Sequence, residues 1–360
     1  MKLTVEQHTL TALLSRVSNA VEKRNTLPIL SNVLLKASGN TLTATATDMD
    51  VEVTTTCEAT VIEQGGTTVS VSMLSAIIAK LQKGKLVELQ SDGLSMRIKS
   101  GRSDLTLAAL PIEDFPKIAT SEYENEFLTD QTDIKRLLDL SSFAMSTEET
   151  RYYLNGVYLH CNGGVMRAVA TDGHRLARID SVVNADFQGI IVPRKTVNLM
   201  KGLLDDGTVT VSISPTKIKV DIGHTVVVSK TIDGTFPDYT RIVPDKHKSE
   251  VIVSAADVKQ ASSLVALVSN EKTRAVKITV SGDTMQLTVR SGAELGVEEV
   301  DATLDGEDVE TGVNSKYLAE VLQACNGDNA VMRFRDSGDA IVIQPEEDSN
   351  ALFLIMPLRC

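Results

Sequence analysis

The chain has 360 residues, of which 42% are hydrophobic and 23% charged, and its formal net charge is −12 at pH 7. This composition is typical of a globular protein, and the negative charge argues against a protein that coats nucleic acid through a broad basic surface. The chain has no apolar run that is long enough to predict a membrane span. The four cysteines, Cys57, Cys161, Cys325 and Cys360, form no C-x-x-C pair. We therefore expect a cytoplasmic protein with reduced thiols and with no metal or other cofactor.

The first third of the chain opens with a predicted amphipathic helix. Its apolar positions recur at helical spacing: Leu10, Leu13, Leu14 and Val17. The pair Thr4-x-x-Gln7 predicts a capped helix start just before this stripe. Short strands are predicted over residues 32–35 and 41–47, and an extended run ending at Val69 precedes a second helical pattern. That second pattern consists of Leu74, Ile77, Ile78 and Leu81.

The same order of elements returns about 124 residues further on, and then once more. The first stripe returns as Ile134, Leu137, Leu138 and Ser141, and then as Val258, Ala261, Ser262 and Val265. Strands are predicted over residues 155–158, 166–171, 276–280 and 285–289. The second helical pattern follows Val192 and Val313, with apolar positions Val197, Met200, Leu203 and Leu204, and then Leu318, Val321 and Leu322. Ser254-x-x-Asp257 predicts a second capped helix start.

Three copies of one pattern indicate three repeated domains. Each copy contains a helix, antiparallel strands, a second helix and further strands, a pattern that packs as two helices on one face of a sheet. We therefore predict an α+β fold with an N-terminal domain over residues 1–122, a central domain over 127–246 and a C-terminal domain over 247–360. The boundaries fall in polar segments.

Motifs that would indicate catalysis are scarce. The chain has no phosphate-binding loop, dinucleotide fingerprint, nucleophile elbow or zinc-binding helix motif. One polar constellation, residues 171–176, has a counterpart 124 residues earlier over 47–50, which predicts a turn shared by the copies. A hydrolase using Asp172 and His174 is an alternative hypothesis. Asp48, Asp50 and Glu52 could hold a divalent cation, although a solvated loop is the favoured interpretation.

Seven ordered segments resemble the bacterial beta sliding clamp family, the processivity subunit of the replicative DNA polymerase. They are TLPIL (26–30), RYYLNG (151–156), TDGHRLA (171–177), IVPRK (191–195), FPDY (236–239), SNEK (269–272) and MPLR (356–359). The resemblance runs over the whole chain. It implies a non-catalytic protein that pairs head to tail with a second copy into a ring of six domains.

The resemblance also implies that duplex DNA passes through the ring. Twelve helices would line the hole, and helix spacing leaves an opening of roughly 25 Å, enough for a duplex. Contacts to phosphates would be independent of DNA sequence. The resemblance assigns DNA contacts to five residues: Arg24, Tyr152, Tyr153, Arg194 and Lys195.

Ring closure has a charge signature in the sequence. Residues 291–315 contain eight acids and no base, whereas residues 80–102 contain six bases and two acids. An acidic edge facing a basic edge favours head-to-tail docking. We assign the charged part of the interface to Glu298, Glu299, Arg97, Lys99 and Arg102. By resemblance, Leu267 and Val268 supply its apolar part.

The resemblance places a hydrophobic pocket between the central and C-terminal domains, where client proteins dock linear peptides. The assigned pocket residues are Arg151, Leu154, Thr171, Gly173, His174, Arg175, Leu176, Pro237, Ile242, Met356, Pro357 and Arg359. The implied clients are the polymerase catalytic subunit, the clamp loader, other polymerases and repair proteins, with no membrane partner. Gly338, Ala340, Cys360 and residues 71–73 depart from the family pattern. A scaffold that binds peptides without enclosing DNA is the third hypothesis.

Overall fold

The computed structural model describes residues 1–22, 27–119, 122–269, 274–325 and 327–358. The elements of the first repeat are β1 (Lys2–Glu6), α1 (Gln7–Ser18), β2 (Asn32–Ser38), β3 (Thr41–Thr47), β4 (Val51–Glu58), β5 (Thr60–Glu63), β6 (Gly65–Ser70), α2 (Val71–Lys80), β7 (Leu86–Ser91), β8 (Ser95–Ser100) and β9 (Ser103–Leu110).

The second and third repeats follow the same order. The second contains β10 (Asn125–Asp130), α3 (Gln131–Ser141), β11 (Gly156–Asn162), β12 (Val165–Thr171), β13 (Arg175–Val182), β14 (Phe187–Pro193), α4 (Arg194–Leu203), β15 (Thr208–Ser214), β16 (Lys217–Asp221) and β17 (Thr225–Lys230). The third contains β18 (Ser249–Ser254), α5 (Ala255–Val265), β19 (Ala275–Ser281), β20 (Thr284–Ser291), β21 (Glu294–Gly306), β22 (Val309–Asn314), α6 (Ser315–Ala324), β23 (Asn329–Phe334), β24 (Ile341–Pro345) and β25 (Ala351–Ile355). The predicted α+β fold with antiparallel sheets is confirmed.

The apolar stripes predicted from the sequence form the helix cores. In the first helix of each repeat, α1, α3 and α5, every residue of the predicted stripe is buried. These residues include Ser141 and Ser262, which are fully buried polar residues. The side chain of Ser254 accepts a hydrogen bond from the backbone amide of Asp257, which confirms the second predicted cap.

The first predicted cap is wrong. Thr4 lies in β1, opposite Glu88 of β7 and Thr60 of β5, and α1 begins only at Gln7. Leu3 and Val5 alternate with polar residues and are buried, so this segment joins a sheet instead of leading into the helix. The side-chain amide of Gln7 donates to the carbonyl oxygen of Ile78 at 2.8 Å, which connects α1 to the end of α2.

Two compact units build the chain, and neither coincides with a repeat. Residues 1–135 with 195–231 form one unit, and residues 136–194 with 232–360 form the other. Among the described residues, the first unit carries thirteen hydrogen-bonded strands, with α1 packed on α2, β3 and β4. The described part of the second unit carries twelve, with α5 packed on α6, β20 and β21. No helix among the described residues is long and apolar enough to cross a bilayer.

Strand pairing explains why the units are offset from the repeats. In the first unit β4 of the first repeat pairs with β17 of the second, from Val51 opposite Ser229 to Thr55 opposite Thr225. In the second unit β13 of the second repeat pairs with β25 of the third. Each unit is therefore held together by a sheet that combines one terminal repeat with half of the central repeat.

Candidate functional site

The turn between β12 and β13 is built by two side chains of the predicted constellation. The Thr171 hydroxyl donates to the carbonyl oxygen of Arg175 at 2.6 Å and accepts from the amide of Gly173 at 3.1 Å. Asp172 Oδ1 accepts from the amides of His174 and Arg175 at 2.9 and 3.0 Å. Gly173 has φ +88°, a left-handed conformation that glycine adopts without steric cost. The turn therefore holds the exposed His174 in a fixed position.

The first repeat contains the same turn between β3 and β4, which confirms the prediction of a shared turn. The Thr47 hydroxyl donates to Val51 O at 2.9 Å, and Asp48 Oδ1 accepts from the amides of Asp50 and Val51 at 2.9 and 2.8 Å. Met49 stands where the second repeat has glycine, and it too has a positive φ, +79°. A side chain in this conformation is strained, so the hydrogen bonds of the turn must hold it there.

Arg175 is buried and connects this turn to its surroundings. Its guanidinium donates to Asp172 Oδ2 at 3.1 Å, to Phe143 O at 2.8 Å and to the Glu320 carboxylate. The guanidinium carbon also lies 4.6 Å from the centre of the Tyr317 ring, and the His174 ring stacks with that same ring at 6.1 Å between centres. These contacts neutralise a buried charge and fix α6 against the turn.

The predicted pocket residues that the structure describes all lie in the second unit. Leu154 and Leu176 are buried in one apolar cluster, whose other buried members are Val169, Ile191, Phe236, Tyr239, Ala340, Val342, Leu352 and Leu354. The Met356 amide donates to His174 O at 2.8 Å, which continues the pairing of β25 with β13. Met356 is 38% exposed and Ile242 is 45% exposed. The second unit therefore contains this buried apolar cluster and two accessible apolar side chains, Ile242 and Met356.

Two further predicted pocket residues meet at the same turn. A Cβ atom on Gly173 would lie 2.7 Å from Nη1 of Arg151, so the guanidinium of Arg151 packs directly over the glycine. Pro357 is half-buried and Pro237 is exposed. Arg359 lies outside the described residues.

The geometry does not support the hydrolase hypothesis. Both carboxylate oxygens of Asp172 accept hydrogen bonds from the turn or from Arg175, so the carboxylate does not orient the imidazole of His174. A catalytic Asp-His pair requires the carboxylate to bond to the imidazole.

The acidic residues of the first turn are also engaged separately. Asp48 Oδ2 accepts from the ammonium of Lys195, Asp50 pairs with Lys230, and Glu52 Oε2 accepts from the amide of Ile118 at 3.2 Å. Within the described ranges, no three potential ligand side chains are grouped to hold a metal ion.

Of the residues predicted to contact DNA, Tyr152 is exposed, whereas Arg194 is hydrogen-bonded within the protein. Tyr152 is 53% exposed, and its ring meets that of Tyr153 edge to face at 5.7 Å. Arg194 donates to the carbonyl oxygens of Met145 and Ser146, and burial lowers the pKa of its guanidinium. Arg24 lies outside the described residues.

Lys195 differs most from its predicted role. Its ammonium donates to Ala20 O at 2.7 Å, to Glu22 Oε1 at 2.5 Å and to Asp48 Oδ2 at 2.5 Å. Burial alone would raise the pKa of Asp48, but the Lys195 hydrogen bond and the backbone amides of the turn lower it overall. The ammonium of Lys195 is therefore largely neutralised inside the first unit.

The predicted interface residues are accessible. Leu267 is 80% exposed, and Val268 packs on Gly296 of β21, where a Cβ atom would lie 2.9 Å from its methyl group. Arg97 and Lys99 share Asp104 as an ion-pair partner. The carboxylate of the exposed Glu299 accepts from the Gln286 side-chain amide, whereas Glu298 is half-buried.

Sequence reasoning missed Phe143, Tyr317 and Glu320 as partners of Arg175. Tyr317 and Glu320 stand three residues apart on α6 and therefore share a helix face. That spacing was visible in the sequence, but nothing in it indicated that the face meets a turn about 145 residues away.

Family models match the chain in three consecutive pieces. They describe the N-terminal, central and C-terminal domains of the DNA polymerase III beta subunit and match residues 1–119, 129–238 and 240–359. The beta sliding clamp of Caulobacter vibrioides is 39% identical over 371 residues, covering 100% of both chains.

Solved structures of similar chains agree closely with this fold. A sliding clamp from Bartonella birtlesii bound to griselimycin is 37% identical with a TM-score of 0.96, and one from Pseudomonas aeruginosa bound to griselimycin is 33% identical with a TM-score of 0.97. Both matches cover 100% of this chain and of the solved chain.

Proposed function

The chain belongs to the DNA polymerase III beta-subunit family, the non-catalytic sliding clamps of DNA replication, and from this premise we propose that two copies close into a ring around duplex DNA. The three clamp domains would span residues 1–122, 127–246 and 247–360, and the ring would act in the cytoplasm. It would tether the replicative polymerase and other clients through a peptide pocket in the second unit.

A pair of open strand edges carries the ring proposal. Strand β9 pairs with β8 along residues 103–108, and among the described residues no strand pairs with the other edge of this stretch. Strand β21 likewise pairs only with β20 along residues 294–301 within the described chain. An open edge offers backbone amides and carbonyls to a further strand. Pairing β9 of one copy with β21 of the other would satisfy both edges twice in a two-fold dimer.

The side chains beside these edges are complementary. Residues 294–301 carry four acids and no base. Three bases, Arg97, Lys99 and Arg102, lie in β8 and in the turn before β9, and Asp104 of β9 forms an ion pair with Arg97. Exposed apolar side chains lie beside each edge: Leu264, Leu267, Leu295 and Val297 near β21, and Leu105 on β9. Opposite charge would set the head-to-tail direction, and the apolar side chains would supply most of the affinity.

The DNA contact would be weak and independent of sequence. A closed ring holds a duplex by topology, so a protein with a net charge of −12 needs only local cations facing the phosphates. Tyr152, Tyr153 and Arg24 remain the assigned contacts. Arg194 and Lys195 stay in the proposal with a smaller share, because their side chains are already hydrogen-bonded within the protein.

The peptide pocket would use the apolar cluster of the second unit as its floor. Leu154 and Leu176 lie in this floor, and the accessible side chains of Ile242 and Met356 would close over an apolar residue of the client. A site lined by Leu, Ile and Met adapts to several ligands, which suits a protein with many clients. We also propose that griselimycin binds here and competes with a polymerase-derived peptide.

The decisive experiment measures mass and topology together. Native mass spectrometry of the 38.8 kDa chain should give a dimer. Clamps loaded on nicked circular duplex DNA should stay bound during gel filtration and leave after the circle is linearised. A peptide-binding scaffold would show no dependence on linearisation, and a hydrolase would show turnover that is lost in a His174→Ala variant. Retention that is equal on circular and linear DNA would contradict encirclement.

A further inference from the structure

The segment 232–243, called here the pocket segment, carries two assigned pocket residues, Pro237 and Ile242. Most of it has no regular secondary structure, apart from a short 3-10 turn at Tyr239–Ile242. One end is fixed by the amide of Ile232, which donates to Ile191 O at 2.9 Å. Because Pro237 and Ile242 are both exposed, their own contacts do not hold the segment in place.

Two aromatic rings of the pocket segment are held by one strand, β11. Phe236 stacks on Tyr158 with ring centres 4.8 Å apart and 3° between the planes. The hydroxyl of Tyr239 and Nε2 of His160 form a hydrogen bond of 2.9 Å. Tyr158 and His160 are two residues apart, so their side chains stand on the same face of the strand, with ring centres 5.1 Å apart. These two side chains form a brace under the segment.

The brace depends on a glycine in the neighbouring strand. Gly189 of β14 lies beside β11, and a Cβ atom at this position would overlap the phenol ring of Tyr158. The reason for glycine here is space, since any larger residue would push Tyr158 out of its stack with Phe236.

The brace is electrically neutral near pH 7. Burial raises the pKa of Tyr239, although Arg167 and Arg178 act in the opposite direction. Burial lowers the pKa of His160, Arg167 lowers it further, and Asp180 partly opposes both. The bond therefore joins a phenol to a neutral imidazole and is not weakened by salt in the way that a surface ion pair would be.

We infer that Tyr158, His160 and Gly189 are positioning residues for peptide recognition, an inference that rests on the pocket proposed above. None of the three belongs to the assigned pocket. Phe236 and Tyr239, which they hold, are buried in the same cluster as Leu154 and Leu176. The brace thus fixes the wall that carries Pro237 and Ile242 relative to the pocket floor before a client arrives, which reduces the ordering cost of binding.

The test uses full-length protein and griselimycin as the probe, with affinity measured by calorimetry. Tyr239→Phe removes only the hydroxyl and should weaken binding roughly threefold to tenfold. Gly189→Ala should weaken it similarly by displacing Tyr158. In a Tyr158→Leu background, Gly189→Ala should cost nothing further, because the ring that it displaces is gone. Tyr239→Phe should keep the dimer mass of the parent and lower the melting temperature by only about 2–4 °C, which separates positioning from a general loss of stability.

A pocket variant, Leu176→Ala, separates this inference from the pocket proposal. If Leu176→Ala weakens griselimycin binding while a folded Tyr239→Phe and Gly189→Ala bind like the parent, the brace has no positioning role and the pocket stands. If Leu176→Ala also binds like the parent, the pocket proposal fails and the inference fails with it. Equal losses from Gly189→Ala with and without Tyr158 would likewise overturn the brace.

Discussion

Lys195 allows a direct test of whether a cationic side chain contacts DNA or stabilises the fold. Replacing Lys195 with Met removes three hydrogen bonds, two of them to carboxylates at 2.5 Å. Glu22 is half exposed, so its pair contributes little, whereas the Asp48 side chain is only 11% exposed and would lose the partner of Oδ2. An exposed pair is worth about 0–1 kcal/mol, and an unsatisfied, mostly buried oxygen costs about 1–3 kcal/mol. We expect Lys195→Met to lower the free energy of unfolding by about 2–3 kcal/mol.

The pH dependence gives this prediction a sign. The pKa of Asp48 is lowered below its ordinary value of 3.8, so its contribution is complete above pH 3.8 and is lost as the pH falls through the folded-state value. The gap between parent and Lys195→Met should therefore be full at pH 7 and should narrow below pH 3.8. Urea titrations across this range measure it, and a double-mutant cycle with Asp48→Asn isolates the pair.

A matched control decides between the two roles. Lys80 is exposed at the end of α2, one of the helices expected to line the hole of the ring. Lys80→Met should leave stability unchanged, whereas a real phosphate contact lowers the salt slope of DNA retention by about 0.9 per charge removed. Lys195→Met should change stability and leave the slope nearly unchanged. A stable Lys195→Met variant whose salt slope drops by about one unit would refute the reasoning.

Three further outcomes are expected. Placing Lys at both Leu267 and Val268 should give a folded monomer by native mass spectrometry, because charge would replace exposed apolar contact area; a persistent dimer would remove both from the interface. Deleting residues 356–360 should cost client peptides about 2–4 kcal/mol, roughly 30-fold to 1000-fold in a fluorescence titration, while the dimer persists; undiminished affinity would contradict the pocket assignment. The Ser262 hydroxyl is buried and no described group bonds to it, whereas Ser141 donates to Leu137 O at 2.7 Å. Calorimetric melting should therefore show Ser262→Ala stabilised by about 1 kcal/mol and Ser141→Ala destabilised; the reverse order would count against the unsatisfied hydroxyl.

Local periodicity was enough to predict the helices and some of the strands. The stripes through Leu10 and Val258 recur at helical spacing because one face of each helix is buried, and that pattern survives in the sequence whatever the partner is. Thr4 shows the limit of local signals, because its capping pattern competed with strand pairing to β7, whose residues lie more than 80 positions away.

The partners of individual charges could not be predicted. Lys195 stands in the first turn of α4, where a cation is unfavourable toward the helix dipole, and this was a local hint that it had carboxylate partners. Their identity depended on a strand pairing between repeats that leaves no periodic trace. The brace under the pocket segment could not be predicted for the same reason. A glycine such as Gly189 in a strand indicates only a residue that stabilises the strand poorly, and its role becomes clear only from the Tyr158 ring that packs against it.

The half-repeat offset of the two units determines how the chain can be divided. A fragment ending at residue 122 would contain β4 without β17, and so would expose a strand edge that includes the buried residues Val51 and Val53. Such fragments should aggregate through that edge even though each contains one complete sequence repeat. No cut at a single point leaves both sheets whole, because residues 136–194 of the second unit interrupt the first unit along the chain. We therefore expect that a single sequence repeat does not fold on its own.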